Sequence, residues 1–475
     1  MFRSPARATL LLGLSVYTVL AILAMVFYLE RTVFIDVAFH VVTILKKKTL
    51  FIQNQRFVAL FSQIFPLAAE RLHLSLKGVL LAYSLGFIVY YGAIFAACTA
   101  WLRQWQMGLV MLLLSTLLVT DTFYWVQSEL PQGLALLVFT FALLLRGRTP
   151  EGLTGWQLGL LFGLWFTVVF AHPMLVFPVL FLLLFFVERN TGAARIHPKL
   201  LIGSGVFVVL MLLIKNKIFG PAGYDAGAMG RADNLRKLFP HFFDLQSNRD
   251  LLYWCLGDYF LLPLTFLAAV VFYFWQKKWY KLLILSSFFL GYLLLVNVSF
   301  ASGDNRFYLE NLYLPLVLFI AVPLAFDLLP YFLAQRQASP VRIKWAFGTL
   351  AILLGIRLWQ IGLAHQPWTA RLDWERQLLA TTAALPQPKI ILPESQVPMD
   401  KLVMSWGSSF EFMLLSSLEN PDQTRLITID EDPAHLQWAT DQRRAIITEW
   451  EVWKYDDLPK RYFHPQDTSL YDLRK

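Results

Sequence analysis

Long apolar stretches recur along the chain from its start to about residue 363 and then cease. A helix of about 20 apolar residues matches the thickness of a membrane. The stretches around His172 are short and would also suit a re-entrant hairpin. The pattern predicts eleven membrane-spanning helices, at Thr9–Tyr28, Val79–Ala100, Met107–Thr120, Pro131–Leu145, Trp156–Phe170, Met174–Val187, Leu201–Ile214, Tyr259–Trp275, Leu282–Val296, Leu312–Leu329 and Trp345–Ile361.

The last part of the chain has a different pattern. Short β-like runs, KIILPE, TRLITID and RAIITEW, alternate with a predicted helix at Ser408–Asn420. The fold class expected is therefore an all-α polytopic membrane domain over residues 1–363, followed by a small α/β domain over residues 364–475. Asp430, Glu431 and Asp432 precede Pro433 and are interpreted as a turn, and this domain is expected to bind an acceptor or a partner.

Composition supports a membrane protein. Hydrophobic residues make up 57% of the chain and charged residues 15%, whereas soluble proteins carry about 25% charged residues. Membrane lipids, and no nucleic acid, are the partners expected. Cys98 and Cys255, the two cysteines in the sequence, both lie in apolar surroundings, so neither a disulfide framework nor a thiolate metal site is indicated.

Basic residues are concentrated in one set of short turns. Glu151 and Glu188 are the only acidic residues among them. Cytoplasmic loops are enriched in Lys and Arg, so the N-terminus and these turns are predicted to be cytoplasmic and the C-terminal domain extracytoplasmic, in a bacterial inner membrane. The basic residues are Arg103, Arg146, Arg148, Arg189, Arg195, Lys199, Lys277, Lys278, Lys281, Arg336, Arg342 and Lys344.

The long loops then face outward, where nucleotide-activated substrates are scarce. The short cytoplasmic turns contain neither a Gly-rich phosphate loop nor a cluster of metal-ligating histidines. A lipid-borne substrate bound at the external membrane surface is the better expectation.

The first external loop, residues 30–77, contains the strongest candidate residue. Its interleaved apolar and basic residues predict two amphipathic helices in the membrane interface, with Lys46, Lys47 and Lys48 on lipid headgroups. Asp36 lies between Ile35 and Val37 without a basic residue four positions away. Desolvation would raise its pKa, which suits a general base. The alternative is a solvated acid at a helix end.

Further candidates lie at other external positions. Glu30 and His40 flank Asp36, and Asp121 in the second external turn is expected to face it. Glu129, before Leu130 and Pro131, is interpreted as a helix-end acid. His172 would contact substrate or be a satisfied interfacial histidine.

The stretch GDNRFYLENLYLPLVLF contains a third group of candidates, Arg306, Tyr308 and Glu310, just before a predicted span. An arginine there can hold a phosphate while a tyrosine packs on a sugar or lipid. The alternative is the interfacial belt of Arg and Tyr that membrane helices commonly have.

Together, an acid after the first span, an acid in the second external loop and the late Arg–Tyr–Pro stretch resemble the C-type fold (GT-C) superfamily of integral membrane glycosyltransferases. The first loop has no pair of adjacent acids, since Glu30 and Asp36 are six residues apart, and the second loop has no DxD motif.

The resemblance implies inverting transfer of a sugar from a polyprenyl-phosphate donor to a glycan, lipid or protein acceptor. Asp36 would act as base and Arg306 would bind the phosphate, and a divalent cation is not required by the sequence. Other cations are available in the loop that starts near Lys215: Lys217, Arg231, Arg236 and Lys237.

Two other functions remain open at this stage. A lipid or glycan transporter would use similar spans, but the sequence contains no convincing internal repeat, and Arg357 is the main charge within a late span. A non-catalytic scaffold derived from the transferase fold would keep the spans and lose the acids.

Overall fold

The structure is a computed structural model that describes residues 4–147, 153–188, 196–220, 235–334, 340–430, 444–447, 452–466 and 470–472. The described chain is mostly helical. The helices of its first half are α1 Pro5–Val26, α2 Tyr28–Thr32, α3 Ile35–Lys47, α4 Leu60–Arg71, α5 Leu76–Ala96, α6 Trp105–Leu114, α7 Glu129–Arg146, α8 Gly155–Ala171, α9 Val176–Val187 and α10 Pro198–Phe219. Those of the second half are α11 Leu235–Leu238, α12 Gln246–Leu256, α13 Leu261–Trp275, α14 Trp279–Ser299, α15 Arg306–Pro323, α16 Leu329–Ala334, α17 Pro340–Leu363, α18 His365–Thr382, α19 Met399–Leu402 and α20 Ser408–Ser416.

Several of these helices are long and apolar enough to cross a membrane. Within the described residues there are seven such helical segments, and an eighth if α12 and α13, which are bent by 89°, form one span. Three shorter apolar helical segments accompany them: α6, α8 and Pro173–Val187. The chain is therefore a helical membrane protein. Each of the eleven predicted stretches coincides with one of these helices, and crossing of the membrane by the three shorter ones stays a prediction.

The loop over residues 30–77, which the sequence predicts to be external, forms helices α3 and α4, but α3 is not exposed to lipid. Ten of its thirteen residues are buried, because the C-terminal domain covers the face that the sequence assigned to the membrane interface. Lys46 lies 3.9 Å from the ring centroid of Trp453 and 3.7 Å from a carboxylate oxygen of Asp457. Lys48 lies 3.6 Å from Glu70. Contacts within the protein thus replace the headgroup contacts expected for these two lysines.

The C-terminal part begins within a helix. A single helical segment of 42 residues, Val341–Thr382, includes the predicted domain boundary at residues 363 and 364. Apolar residues become sparse there while helical structure continues, so α18 extends the last membrane helix into the C-terminal domain.

The predicted strands of this domain are present. Strands β1 Lys389–Pro393, β2 Leu426–Asp430 and β5 Leu470–Asp472 form a parallel sheet in the order β2-β1-β5. Lys389 pairs with Leu426 on one side and with Leu470 on the other. Strands β3 Arg444–Ile447 and β4 Val452–Lys454 form an antiparallel pair.

A buried polar contact joins the C-terminal domain to α3. Glu411, on α20, accepts hydrogen bonds from the backbone nitrogen of Ile35 and from the guanidinium of Arg371. Arg371 also donates to the carbonyl oxygen of Val33, at 3.1 Å. These bonds fix the start of α3, one residue before Asp36.

Candidate functional site

One cavity brings together four of the eight candidate residues: Asp36, His40, His172 and Tyr308. Its volume is about 380 Å³. The loop over residues 30–77, the turn before α7, the start of α15 and the C-terminal domain all contribute to its walls. Its other lining residues are Phe39, Gln53, Asn54, Arg56, Trp125, Gln127, Ser128, Glu129, Phe307, Asn311, Leu312, Met404 and Trp406. We refer to it as the Asp36 cavity.

Asp36 lies in the first turn of α3 and is half-buried, with its accessible part in the cavity. Within the described residues its carboxylate accepts one hydrogen bond, from the indole nitrogen of Trp125 at 3.1 Å. Burial raises the pKa of Asp36 to about 6, although the Trp125 bond lowers it. A carboxylate with few partners and a raised pKa can accept a proton from a bound hydroxyl.

His40 is held as a neutral imidazole. Its Nδ1 accepts from the amide of Gln63 at 3.2 Å, so the proton is assigned to Nε2, which lies 3.3 Å from the amide oxygen of Gln53. Burial lowers the pKa of His40. Because both of its ring nitrogens are hydrogen-bonded, the imidazole of His40 has a fixed orientation and forms part of the cavity wall.

His172 connects the Asp36 cavity with a second space. It also lines an apolar groove of about 300 Å³ between α8, α9 and α10, which includes Lys215. Its Nδ1 accepts from the backbone nitrogen of Met174 at 3.2 Å. Burial, together with the nearby charges of Arg56 and Lys215, lowers the pKa of His172 to about 3. Two cations therefore lie close to the point where groove and cavity meet.

Arg56 is the cation of the cavity wall. Its guanidinium lies 2.8 Å from a carboxylate oxygen of Glu129, and both side chains are largely buried. Glu129 is in the first turn of α7, as its interpretation as a helix-end acid requires, but it also holds Arg56. The sequence could not indicate this pair because 73 residues separate its members.

Arg306 lies in another cavity, of about 220 Å³, together with Asp121 and Lys401. Phe307 lines both cavities. The guanidinium of Arg306 forms an ion pair with Asp258 and lies 3.9 Å from Asp121 and 4.0 Å from Glu310. Three carboxylates thus surround the residue that the sequence assigned to phosphate, which weakens that assignment.

Asp121 does not line the Asp36 cavity, so the expected pairing of these two acids does not occur there. Burial and the nearby charge of Glu310 raise the pKa of Asp121 to about 7, against the opposing effect of Arg306. Asp258 completes this acidic cluster and was missed by the sequence reasoning, since it follows Gly257 in a stretch without a recognisable motif.

Glu310 stabilises the fold through hydrogen bonds of its buried carboxylate. It has no exposed surface, and its carboxylate accepts from the backbone nitrogens of Thr120, Asp121 and Thr122 at 2.5, 3.0 and 3.0 Å. The hydroxyl of Tyr259 also donates to it. These bonds shape the second external turn, and no side of the carboxylate is left open to a substrate.

Glu30 lies away from both cavities. Its carboxylate accepts from the hydroxyl of Thr369 at 2.9 Å, which links α2 to α18. Among the other cations considered, Arg231 and the side chain of Arg236 lie outside the described residues, as do Glu431 and Asp432 of the acidic run. Lys217 and Lys237 are exposed.

The cavity wall combines aromatic rings with side-chain amides. Trp125, Trp406 and Tyr308 provide flat apolar faces, and Gln53, Asn54, Gln127 and Asn311 provide hydrogen-bonding groups. Sequence reasoning missed Trp406, which comes from the C-terminal domain. Within the described residues, no group of three or more His, Cys, Asp or Glu residues is arranged to hold a metal ion.

A comparison with models of known protein families finds no match to the chain, and neither does a comparison with curated proteins. A functional assignment therefore rests on the geometry of the site.

Proposed function

We propose that the chain is a membrane glycosyltransferase that moves a sugar from a polyprenyl-phosphate donor to an acceptor at the external membrane face. The observation that supports this best is the half-buried Asp36 carboxylate, with a raised pKa, in a cavity of about 380 Å³ lined by aromatic rings and amides. Aromatic faces pack on the apolar faces of sugars, and amides hydrogen-bond to their hydroxyls.

Asp36 is the general base of the proposed reaction. It takes the proton of the acceptor hydroxyl as that oxygen forms a bond to the anomeric carbon of the donor sugar. The bond between this carbon and the lipid phosphate oxygen breaks, and the lipid phosphate leaves with the electron pair. Displacement from the opposite face inverts the anomeric configuration.

Arg56 replaces Arg306 as the residue proposed to stabilise the leaving phosphate. It lines the same cavity as Asp36, and Lys215 adds a second positive charge near His172. Cations placed where negative charge develops lower the barrier of such a transfer. The apolar groove next to His172 leads from this position along α8 and α10.

The proposed function is tested by sugar transfer from a panel of polyprenyl-phosphate sugars by the purified full-length protein in lipid vesicles. Nucleotide sugars in the same vesicles are the matched control. Transfer from a lipid donor, without transfer from nucleotide sugars, is expected. A protein that transfers no sugar from any lipid donor would favour the scaffold or transporter interpretation.

A further inference from the structure

Arg31 is a buried charge outside the proposed reaction. It lies on α2 with 1% of its surface exposed. Its Nε donates to the hydroxyl of Ser84 at 2.8 Å, its Nη2 to the carbonyl oxygen of Ser84 at 3.2 Å, and its Nη1 to the carbonyl oxygen of Phe123. Every one of these acceptors is neutral.

The positive charges of two other buried arginines in the described chain have more partners. Arg371 forms ion pairs with Glu375 and Glu411. Arg357 donates five hydrogen bonds and lies near the charges of Asp258 and Glu310.

Arg31 has a cation–π contact, with its guanidinium carbon 4.1 Å from the centroid of the Phe123 ring, but no opposite charge comparable to those around Arg357 and Arg371. No carboxylate of the described residues forms an ion pair with it, and three of its five N–H groups are bonded. Burial lowers the pKa of Arg31 to about 9, so the guanidinium stays protonated at neutral pH. A buried charge without an opposite charge is costly, which favours binding of an anion from solution.

A small cavity lies beside this guanidinium. Its volume is about 60 Å³, and it lies between α1, α5, α6 and the second external turn. Apolar residues form most of its wall, together with the hydroxyl-bearing residues Tyr17, Tyr91, Ser115 and Thr122. About 10 to 15 Å³ of such space holds one water molecule, so the cavity has room for a small ion.

We propose that this cavity binds a small monovalent anion such as chloride, held by the two remaining guanidinium N–H groups of Arg31. One negative charge balances the one positive charge. The anion would stabilise the packing of α2 against α5 and the position of the second external turn. This inference does not depend on the proposed sugar transfer.

Bromide provides a direct probe of the site, because it replaces chloride and scatters anomalously. Crystals of the full-length protein grown in bromide should show an anomalous peak next to the Arg31 guanidinium. A map with no peak there, at a bromide concentration that stabilises the protein, would overturn the proposal.

Thermal unfolding provides a second test in solution. Replacing gluconate by chloride at constant ionic strength should raise the Tm, with a stabilisation that grows as RT ln(1 + [Cl⁻]/Kd). Arg31→Gln should weaken the chloride effect about tenfold or more, while Arg71→Gln, at an exposed arginine beside Glu70, should leave it unchanged. A chloride effect of equal size in the Arg31 variant would contradict the proposal. If that variant does not fold, the bromide map of the unaltered protein decides.

Discussion

The titration of Asp36 connects catalysis with stability at the scale of a single residue. A general base must be ionised, so the transfer rate should rise with pH up to about 6 and then level off. The measurement is kcat/KM between pH 4.5 and 8. A rate that is already constant between pH 4.5 and 6 would show that a different group controls the reaction.

Ionisation of Asp36 should also make the free energy of unfolding depend on pH. Its pKa in the folded protein lies above the ordinary aspartate value of 3.8, so its contribution to stability is full below about pH 4 and is lost as the pH rises through about 6. Asp36→Asn should therefore stabilise the protein at pH 7, by about 1 to 2 kcal/mol after allowance for solvent in the cavity, and should have little effect at pH 4. Unfolding in denaturant at the two pH values measures this difference. Equal effects at both values would indicate that Asp36 is not desolvated.

Substitution of Arg56 and of Arg306 distinguishes a residue that binds the donor phosphate from one that stabilises the fold. Arg56→Gln should raise the KM for the lipid donor about 10- to 100-fold, the scale of a lost charge-assisted hydrogen bond. Because this change leaves Glu129 without its partner, Arg56→Gln/Glu129→Gln is the charge-balanced control and should show the same KM defect.

Arg306→Gln should instead lower stability by about 2 kcal/mol, since three carboxylates lose their cation, with donor KM unchanged. A raised donor KM in the Arg306 variant, with an unchanged donor KM in the Arg56 variant, would assign phosphate binding to Arg306 instead.

At the scale of elements, the start of α3 depends on close contact with the C-terminal domain. A Cβ at Gly407 would lie 2.6 Å from Cγ2 and 3.0 Å from Cα of Ile35. Gly407→Ala should therefore push the domain away from α3, lower stability by about 1 to 3 kcal/mol and reduce transfer, because Asp36 follows Ile35 directly.

Gly159→Ala is the matched control for this change. A Cβ at Gly159 would meet nothing within 4 Å, and its position within α8 favours alanine by about 0.5 to 1 kcal/mol. Thermal unfolding and sugar transfer of the two variants should differ accordingly. Full activity and stability of the Gly407 variant would show that this contact does not position Asp36.

At the scale of the whole molecule, long apolar stretches predicted the positions of the membrane helices and short β-like runs predicted β1, β2 and β3, because both patterns are local. The contacts that complete the site are not local. The Arg56–Glu129 pair and the placement of Trp406 over the cavity join distant parts of the chain. Asp36 could be singled out from its apolar neighbours, whereas the grouping of Asp121, Asp258 and Glu310 around Arg306 could be recognised only in the folded chain.

The orientation in the membrane is a separate prediction at this scale. Since the predicted cytoplasmic turns are basic and the C-terminal domain follows an odd number of predicted spans, a reporter fused after Lys475 should be active on the external side only. Paired fusions to an enzyme that works only outside and to one that works only inside measure this. Activity of the cytoplasmic reporter would reverse the topology and move the Asp36 cavity to the other face.

Sugar transfer by Asp36→Asn tests the central proposal most directly. Asparagine keeps the size of the side chain and can still accept the Trp125 hydrogen bond, but it cannot take the proton of the acceptor hydroxyl. Transfer from the donor that supports activity of the unaltered protein should fall about 100-fold or more, while donor lipid still binds and the protein stays folded. Full transfer by a folded Asp36→Asn protein would contradict the assignment of Asp36 as the base.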